Sequence, residues 1–520
     1  MSHSLSPAQA RAARAARRPL APAALAWACA LLAGCALGPD FRRPEPPAGE
    51  RVVALDPALP LAADGKEQRF AREADLPADW WTRFESRELD DLVARALAGS
   101  PGLRSAQATL RQSEDNLRAG YGVFFPQIGA GLAASRQVTV TNLPPPLGHG
   151  LTAIGPYDLG TLSGNASYAI DLFGAQRRTV EALGAAADVQ RHNLRATYLG
   201  LTANVVNAGI ALAGYRGQAD ATRAMVRLLD DQIRVAQTQY QVGTGPYTAI
   251  LTLQAQRSAD AAALAALEQH LDQDEHLLAQ LCGQPPAAFT APAAVLEAIA
   301  LPAELPDALP SDLARHRPDI LAAEAALHEA SAQIGVATAD LFPSLTLGGT
   351  LGASNSMISQ VLRNGTRFWS AQASLAASLF NGGSQWYTRK AAIDAYDASL
   401  AQYESVVLSA LEQVADVMTG LSHDAQALRA QADALASATD NLKLTRAQYE
   451  AGLAGYLDML AADTQFQQAR LGYLGAVTQR LQDTVALFAA LGGGWWNEGQ
   501  PAPSAARPAS AASESAPAGN

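Results

Sequence analysis

Four segments of this chain alternate apolar and polar residues with a period of two. Each runs for about 10–14 residues, the length a tilted strand needs to cross a bilayer. In 127–140, Ile128, Ala130, Leu132, Ala134, Val138 and Val140 share one face, with Arg136 as the exception. In 160–172, Leu162, Ala166, Tyr168, Ile170 and Leu172 oppose Thr161, Ser163, Asn165, Ser167 and Asp171. The third segment, 343–353, sets Leu345, Leu347 and Leu351 against Ser344, Thr346 and Thr350. The fourth, 367–380, sets Trp369, Ala371, Ala373, Leu375, Ala377 and Leu379 against Ser370, Gln372, Ser374 and Ser378. Four strands cannot close a barrel, and an open sheet edge cannot lie in hydrocarbon with its N–H and C=O groups unpaired. The hairpins must therefore close with copies of themselves. Two chains supply eight strands, which fill their own interior; three supply twelve, which leave room for a wet lumen. The alternative is a soluble sandwich face, but two isolated hairpins have no second sheet to cover their apolar sides.

The chain is also written twice. Pro101-Gly102-Leu103 with Phe125-Pro126 reappears as Pro318-Asp319-Ile320 with Phe342-Pro343, and Leu172-Phe173 as Leu379-Phe380. Gln239-Tyr240, Gly243, Tyr247 and Leu251 reappear at identical spacing as Gln448-Tyr449, Gly452, Tyr456 and Leu460. Each half keeps one order: helix, two strands, long helix, turn, helix. Apolar positions repeat in steps of four and three from Leu194 to Tyr240, with Thr222 in one slot. From Leu400 to Tyr449 they do so again, interrupted by Asp424, Gln431 and Thr445. That is coiled-coil periodicity. Helices of roughly 60 residues reach about 90 Å, comparable with the depth of a periplasm. A filamentous coiled coil is the competing explanation, and it leaves the strand pairs without a purpose.

Residues 1–35 have the form of an export leader: Arg11, Arg14, Arg17 and Arg18 precede an apolar run ending Leu32-Ala33-Gly34-Cys35. This ending looks like a bacterial lipobox, in which Cys35 receives diacylglycerol and an N-acyl chain; an ordinary signal peptide with an incidental cysteine is the alternative. Residues 36 and 37 are Ala and Leu rather than the aspartate that commonly retains lipoproteins at the inner membrane, so the outer membrane is the expected address. No later stretch runs to 18 apolar residues, which argues against a conventional transmembrane helix. With 49 acidic against 38 basic residues, there is no footprint for nucleic acid. Three cysteines, Cys29, Cys35 and Cys282, cannot form a disulfide framework, and Cys282 is expected to be a buried small hydrophobe. The histidines show no metal spacing: His270 and His276 lie off a shared helix face, and no nucleophile–base pair stands out. Neither an enzyme nor a cofactor is expected, apart from the covalent lipid. The expected organisation is an extended segment over 36–79, a first repeat over 80–283 and a Pro-rich linker over 284–311. A second repeat follows over 312–491 and a mostly disordered tail over 492–520. The long helices are expected at about 181–242 and 384–450.

These residues resemble the TolC/OprM-like outer-membrane efflux factors, in particular their NodT-type lipoprotein branch, over about residues 32 to 496. Cys35-Ala36-Leu37-Gly38-Pro39-Asp40-Phe41 with Arg43-Pro44 looks like the family's stretch after the lipobox. Trp80-Trp81 with Phe84, then Leu89-Asp90, Leu92-Val93 and Ala96-Leu97, looks like its first helix. Arg317-Pro318-Asp319-Ile320 with Ala323-Glu324 is the most specific short motif, and Leu491-Gly492-Gly493-Gly494-Trp495 is a family ending. The resemblance implies a fold of mixed helix and transmembrane strand. In it, a homotrimer makes a 12-stranded β-barrel in the outer membrane and a 12-helix α-barrel through the periplasm. It implies export of small molecules driven by an inner-membrane pump, expected to be of the proton-driven resistance type and joined by a periplasmic adaptor. A structural coiled-coil lipoprotein without transport is the alternative.

Two helix–turn–helix tips follow the repeated tyrosines. Glycine allows positive φ at a helix end, and Pro246 starts a helix without needing its N–H. In the family such tips, with a Val-Gly-Leu or Val-Gly-Thr pattern, dock adaptor hairpins. Val242-Gly243-Thr244 matches, whereas Ala451-Gly452-Leu453 departs at its first residue. The resemblance also puts Tyr449 and Asp458 at the narrowed periplasmic aperture, where three copies of Asp458 would form a cation-selective ring. A second family aspartate falls on Ala461, with Asp463 two residues further on, and a solvated helix-face carboxylate is the plain reading of Asp458. Nothing in the residues identifies the cargo.

Overall fold

The computed structural model describes residues 36–45, 68–71, 76–142, 151–306 and 310–497. The leader, Cys35 and the segment beyond Asn497 lie outside the described residues. In chain order the elements are β1 (Arg69–Ala71), α1 (Arg87–Gly99), α2 (Pro101–Gly120), β2 (Gln127–Asn142) and β3 (Leu151–Ile170). Then come α3 (Ala175–Gln241), α4 (Tyr247–Leu281), β4 (Glu304–Pro306), α5 (Pro310–His316) and α6 (Pro318–Ala339). The chain continues through β5 (Ser344–Asn355), α7 (Val361–Asn364), β6 (Thr366–Ala376), α8 (Ser384–Glu450) and α9 (Tyr456–Ala490). The described residues divide into two compact units, one of 36–44, 109–190 and 323–403, the other of the remaining described residues.

The first unit holds an antiparallel sheet ordered β2-β3-β5-β6. Gln127 pairs with Ser167, Ile170 with Leu345, and Ser344 with Ala376, so the two hairpins join through β3 and β5. Among the described residues no strand pairs with the outer side of β2 or of β6. The apolar stripes are exposed: Ile128 is 83% exposed, Leu132 63%, Trp369 77% and Leu375 67%. Arg136, the misfit on that face, sits opposite Asp158 with 3.9 Å between the charged groups.

Two strand ends differ from the periodicity. β3 begins at Leu151, well before the alternation near 160, because 151–159 does not alternate cleanly. Gly155 and Pro156 fall where the register breaks between Gln137 and Thr139. β6 stops at Ala376 although its pattern runs to 380. Its neighbour β5 begins at Ser344, opposite Ala376, and offers nothing to pair with Leu379 and Phe380, which are 96% and 91% exposed.

Residues 36–44 are strapped onto this unit. The Leu37 N–H donates to Phe173 O at 3.0 Å. The Arg178 side chain, 5% exposed, donates to Asp40 Oδ1 and to Glu181 Oε2, both at 2.8 Å. Glu181 also accepts His328 Nε2 at 2.9 Å, and Phe41 stacks on the His328 ring at 4.5 Å. Partial burial pushes the Glu181 carboxyl up, but the His328 contact and the single Arg178 donation outweigh it and hold the carboxyl below its usual range.

The second unit carries the main core. Ser86 caps α1 by accepting the Leu89 N–H, Glu88 and Asp90 occupy the first turn, and Leu89, Leu92, Val93 and Ala96 form its buried stripe. Ser100 does the same for α2 through Leu103, with Pro101 at the first helical position. The rings of Trp80, Phe84 and Phe488 meet at 5.7–6.5 Å, each fully buried. β1 and β4 pair in parallel, Phe70 opposite Leu305, so part of the Pro-rich linker is ordered as sheet edge. Cys282 is 2% exposed, as a small hydrophobe should be.

α3 and α8 each contain 67 residues, about 100 Å of helix at 1.5 Å per residue. α3 starts at Ala175, earlier than the coiled-coil stripe suggests, since Gly174 with φ +84° leaves the sheet hairpin directly into helix. No run of 18 apolar residues occurs in α3, but one 18-residue window is on average apolar enough to cross a membrane, and 56% of it is buried, as in a core helix. The C-terminal boundary also shifts. Residues 492–497, expected in the tail, are packed: Trp495 Nε1 donates to His316 O at 2.7 Å and Trp496 stacks on His316 at 4.0 Å.

Candidate functional site

The two tips close with one backbone geometry built from different side chains. At the end of α3, Gly243 takes φ +77°, and its N–H donates to Tyr240 O at 3.0 Å. The N–H groups of Thr244 and Gly245 then both turn back to Gln239 O, at 2.8 and 3.1 Å. At the end of α8, Gly452 takes φ +72°, its N–H donates to Tyr449 O at 3.0 Å, and Leu453 and Ala454 return to Gln448 O at 2.8 and 3.3 Å. These are glycine-terminated helix ends in which the last carbonyls are satisfied by the turn itself. A Cβ on either glycine would meet nothing, so the left-handed backbone, rather than crowding, selects glycine there. What the turns present is apolar: Val242 is 67% exposed and Leu453 82%. Thr244 adds a hydroxyl that bonds back to Gln239 O at 3.1 Å.

Behind each tip the repeated tyrosines pair, Tyr240 with Tyr247 at 5.4 Å and Tyr449 with Tyr456 at 5.9 Å. Met225, Leu229 and Ala236 of α3 pack on Ile250 and Leu253 of α4, and Leu460 of α9 joins them. The two helical hairpins therefore share one apolar seam close to their turns. Outside that seam Arg257 pairs with Asp230 at 3.0 Å and Arg223 with Glu268 at 2.9 Å; these half-exposed pairs contribute little.

The two residues expected at the aperture, Tyr449 and Asp458, lie nine positions apart across the turn. Tyr449 is 40% exposed, one turn before Gly452. Asp458 is exposed at the third position of α9, and its Oδ2 accepts the Gly455 N–H at 2.9 Å. Asp458 thus caps its own helix while keeping its carboxylate at the surface. The Gly455-x-x-Asp458 spacing carried this signal in the sequence, and only the first tip lacks it, with Ala249 in the equivalent place. Asp463 is different: it is 6% exposed, and burial raises its carboxyl above the usual range although Arg446 opposes this. Ala461 is exposed. Burial, with Tyr449, Asp231 and Asp463 nearby, pushes the Tyr456 hydroxyl up to about 12. The tip region therefore gathers exposed apolar residues at the turns and one surface carboxylate beside them.

The sequence profile of the outer membrane efflux protein family matches residues 92–284 and 309–493. The toluene efflux pump outer membrane protein TtgC of Pseudomonas putida is 28% identical over 488 residues, 91% of this chain and 96% of that one. The pyoverdine export outer membrane protein OpmQ of Pseudomonas aeruginosa is 26% identical, over 91% of this chain and 97% of its own length. Among solved structures, the outer-membrane channel OprN superposes with a TM-score of 0.77 at 27% identity, covering 89% of this chain and all of that one.

Proposed function

Because the chain belongs to the outer membrane efflux protein family, we propose that three copies close the four-stranded sheet into a 12-stranded barrel and stand on a 12-helix periplasmic tube. The chain is an outer-membrane efflux channel. The single observation that supports the closed assembly is the open sheet: among the described residues β2 and β6 have unpaired outer edges, while Ile128, Leu132, Trp369 and Leu375 are exposed. Hydrocarbon tolerates such a sheet only when every edge is paired. In this reading diacylglycerol and an N-acyl chain on Cys35 anchor each copy. The Val242-Gly243-Thr244 and Ala451-Gly452-Leu453 turns receive a periplasmic adaptor, which couples the tube to a proton-driven inner-membrane pump. TtgC is named for toluene and OpmQ for pyoverdine, yet both match over nine-tenths of this chain. We take the conduit as unselective and the cargo as chosen upstream.

Tyr449 and Asp458 would narrow the periplasmic end. Asp458→Ala is expected to raise single-channel conductance in planar bilayers and weaken block by divalent cations, since it removes a ring of negative charge. It also removes a helix cap worth ~1 kcal/mol, so assembly should survive. Unchanged conductance from an intact oligomer would take Asp458 out of the gate. At the tip, Leu453→Glu should leave folding untouched, because the side chain is 82% exposed. Burying a leucine in a partner is worth ~2 kcal/mol, so adaptor affinity should fall roughly thirtyfold in a pull-down titration. Equal adaptor binding by the variant would remove this turn from the contact. A channel-free oligomer in bilayers would favour the structural lipoprotein instead.

A further inference from the structure

In the second unit α8 and α9 meet at a pair of carboxylates well above the tips. Gly420 lies one turn before Asp424 on α8, and a Cβ placed on it would come within 3.7 Å of Asp483 Oδ2 on α9. Asp424 faces the same Asp483, and its Oδ2 is buried with no hydrogen-bond partner. Asp483 spends its own oxygens on Gln479 Nε2, at 3.2 and 3.1 Å. The charged groups acting on Asp424 are Asp483 and Arg480, both of α9. Arg480 is 1% exposed and turns its Nε to Gln68 Oε1 at 2.9 Å. Two carboxylates are acceptors only, so they can bond to each other only when one of them carries a proton.

We propose that Asp424 and Asp483 share one proton and so form an acid-set latch between α8 and α9. With the proton present the pair is a hydrogen bond across the helix contact; without it, two like charges face each other at a half-buried place. Burial first, then Asp483, push Asp424 up to about 7, and Arg480 works in the opposite direction. The sign follows from linkage. The folded pKa lies above the unfolded one, so the folded chain holds more protons between about pH 4 and 7. The latch contributes most below that window, weakens as pH rises through it, and gives nothing further above 7. A compartment whose acidity follows the surroundings would thus tighten this helix pair in acid and loosen it near neutrality.

The test uses the full-length protein in detergent and needs neither conduction nor an adaptor, so it stands apart from the channel reading. Infrared difference spectra should show a protonated carboxyl stretch at about pH 6 that disappears with a midpoint near 7. Asp424→Asn and Asp483→Asn should each abolish it at that pH, because either change removes the partner that keeps the proton. Hydrogen exchange, corrected for intrinsic rates, should show protection across 420–428 and 479–487 falling roughly tenfold from about pH 5.5 to 8. In the double Asn variant it should stay flat. The absence of the band in the wild type, its survival in both single variants, or its appearance only on adding EDTA would overturn the proposal. The last result would mean a bound cation. Since the wild-type titration alone can refute the latch, a poorly folding variant leaves the test intact.

Discussion

Arg317→Ala is expected to cost ~3–5 kcal/mol and to deplete the protein from outer-membrane fractions, because it strips the partner from several buried or half-buried acceptors at once. Arg317 is 6% exposed. Its Nε and Nη2 grip both oxygens of Asp319 at 3.0 and 2.6 Å, Nη2 also reaches Gln413 Oε1 at 2.9 Å, and Nη1 donates to Ala490 O at 2.9 Å. One guanidinium thereby ties the start of α6 to α8 and to the last residue of α9. Asp319 is fixed by the same fork, and its Oδ1 accepts the Ile320 N–H at 2.9 Å, which starts α6. Arg317→Lys should recover only part of the loss, since an ammonium keeps the charge but not the planar fork. The measurement is the urea midpoint of purified protein. A shift as large for lysine as for alanine would mean that the charge contributes nothing, and no shift for lysine would mean that charge alone matters.

Gly494→Ala should be nearly as damaging, for a steric reason. Gly492, Gly493 and Gly494 take φ of +99°, +74° and +71°, and the third has no room behind it. A Cβ there would sit 2.3 Å from both Leu76 O and Pro77 O. Backbone oxygens cannot rotate aside, so the chain must move, on top of the ~1 kcal/mol that a left-handed conformation costs a residue with a Cβ. Limited proteolysis should cut the C-terminal end of the variant under conditions that spare the parent. Resistance equal to the parent's would show that the Gly494 turn can shift at little cost.

These two sites show what was and was not legible in the chain. Arg317-Pro318-Asp319 and the triple glycine stand out as motifs, but neither motif says that Ala490 or Leu76 is the other half of the contact. Period-two alternation found the strands because one face is apolar and the other polar along nearly their whole length. It failed at 151–159, where a register break hides the pattern, and at 377–380, where the pattern continues without a neighbouring strand to pair with. The coiled-coil stripe likewise marked Asp424 as an interruption. The carboxylate that acts on it, Asp483, is 59 residues away on α9, and no spacing along one helix can reveal a neighbour on the next. At the tips the reverse holds: Gly243, Gly452 and the Gly455-x-x-Asp458 spacing are local signals, and the turns follow from them. The Arg178 clasp was invisible because Asp40, Arg178 and His328 come from three distant stretches.

The strap over residues 36–44 sets the length of a tether. Leu37 is fastened by its backbone to Phe173, and only Ala36 lies between it and Cys35. Two Cα-to-Cα steps span ~7 Å at full extension. Any acyl group carried by Cys35 therefore has almost no leash, and its point of entry into the lipid is tied to the foot of the β3 hairpin. Lengthening that leash by inserting a flexible run after Cys35 would uncouple where the fat enters from where the sheet stands.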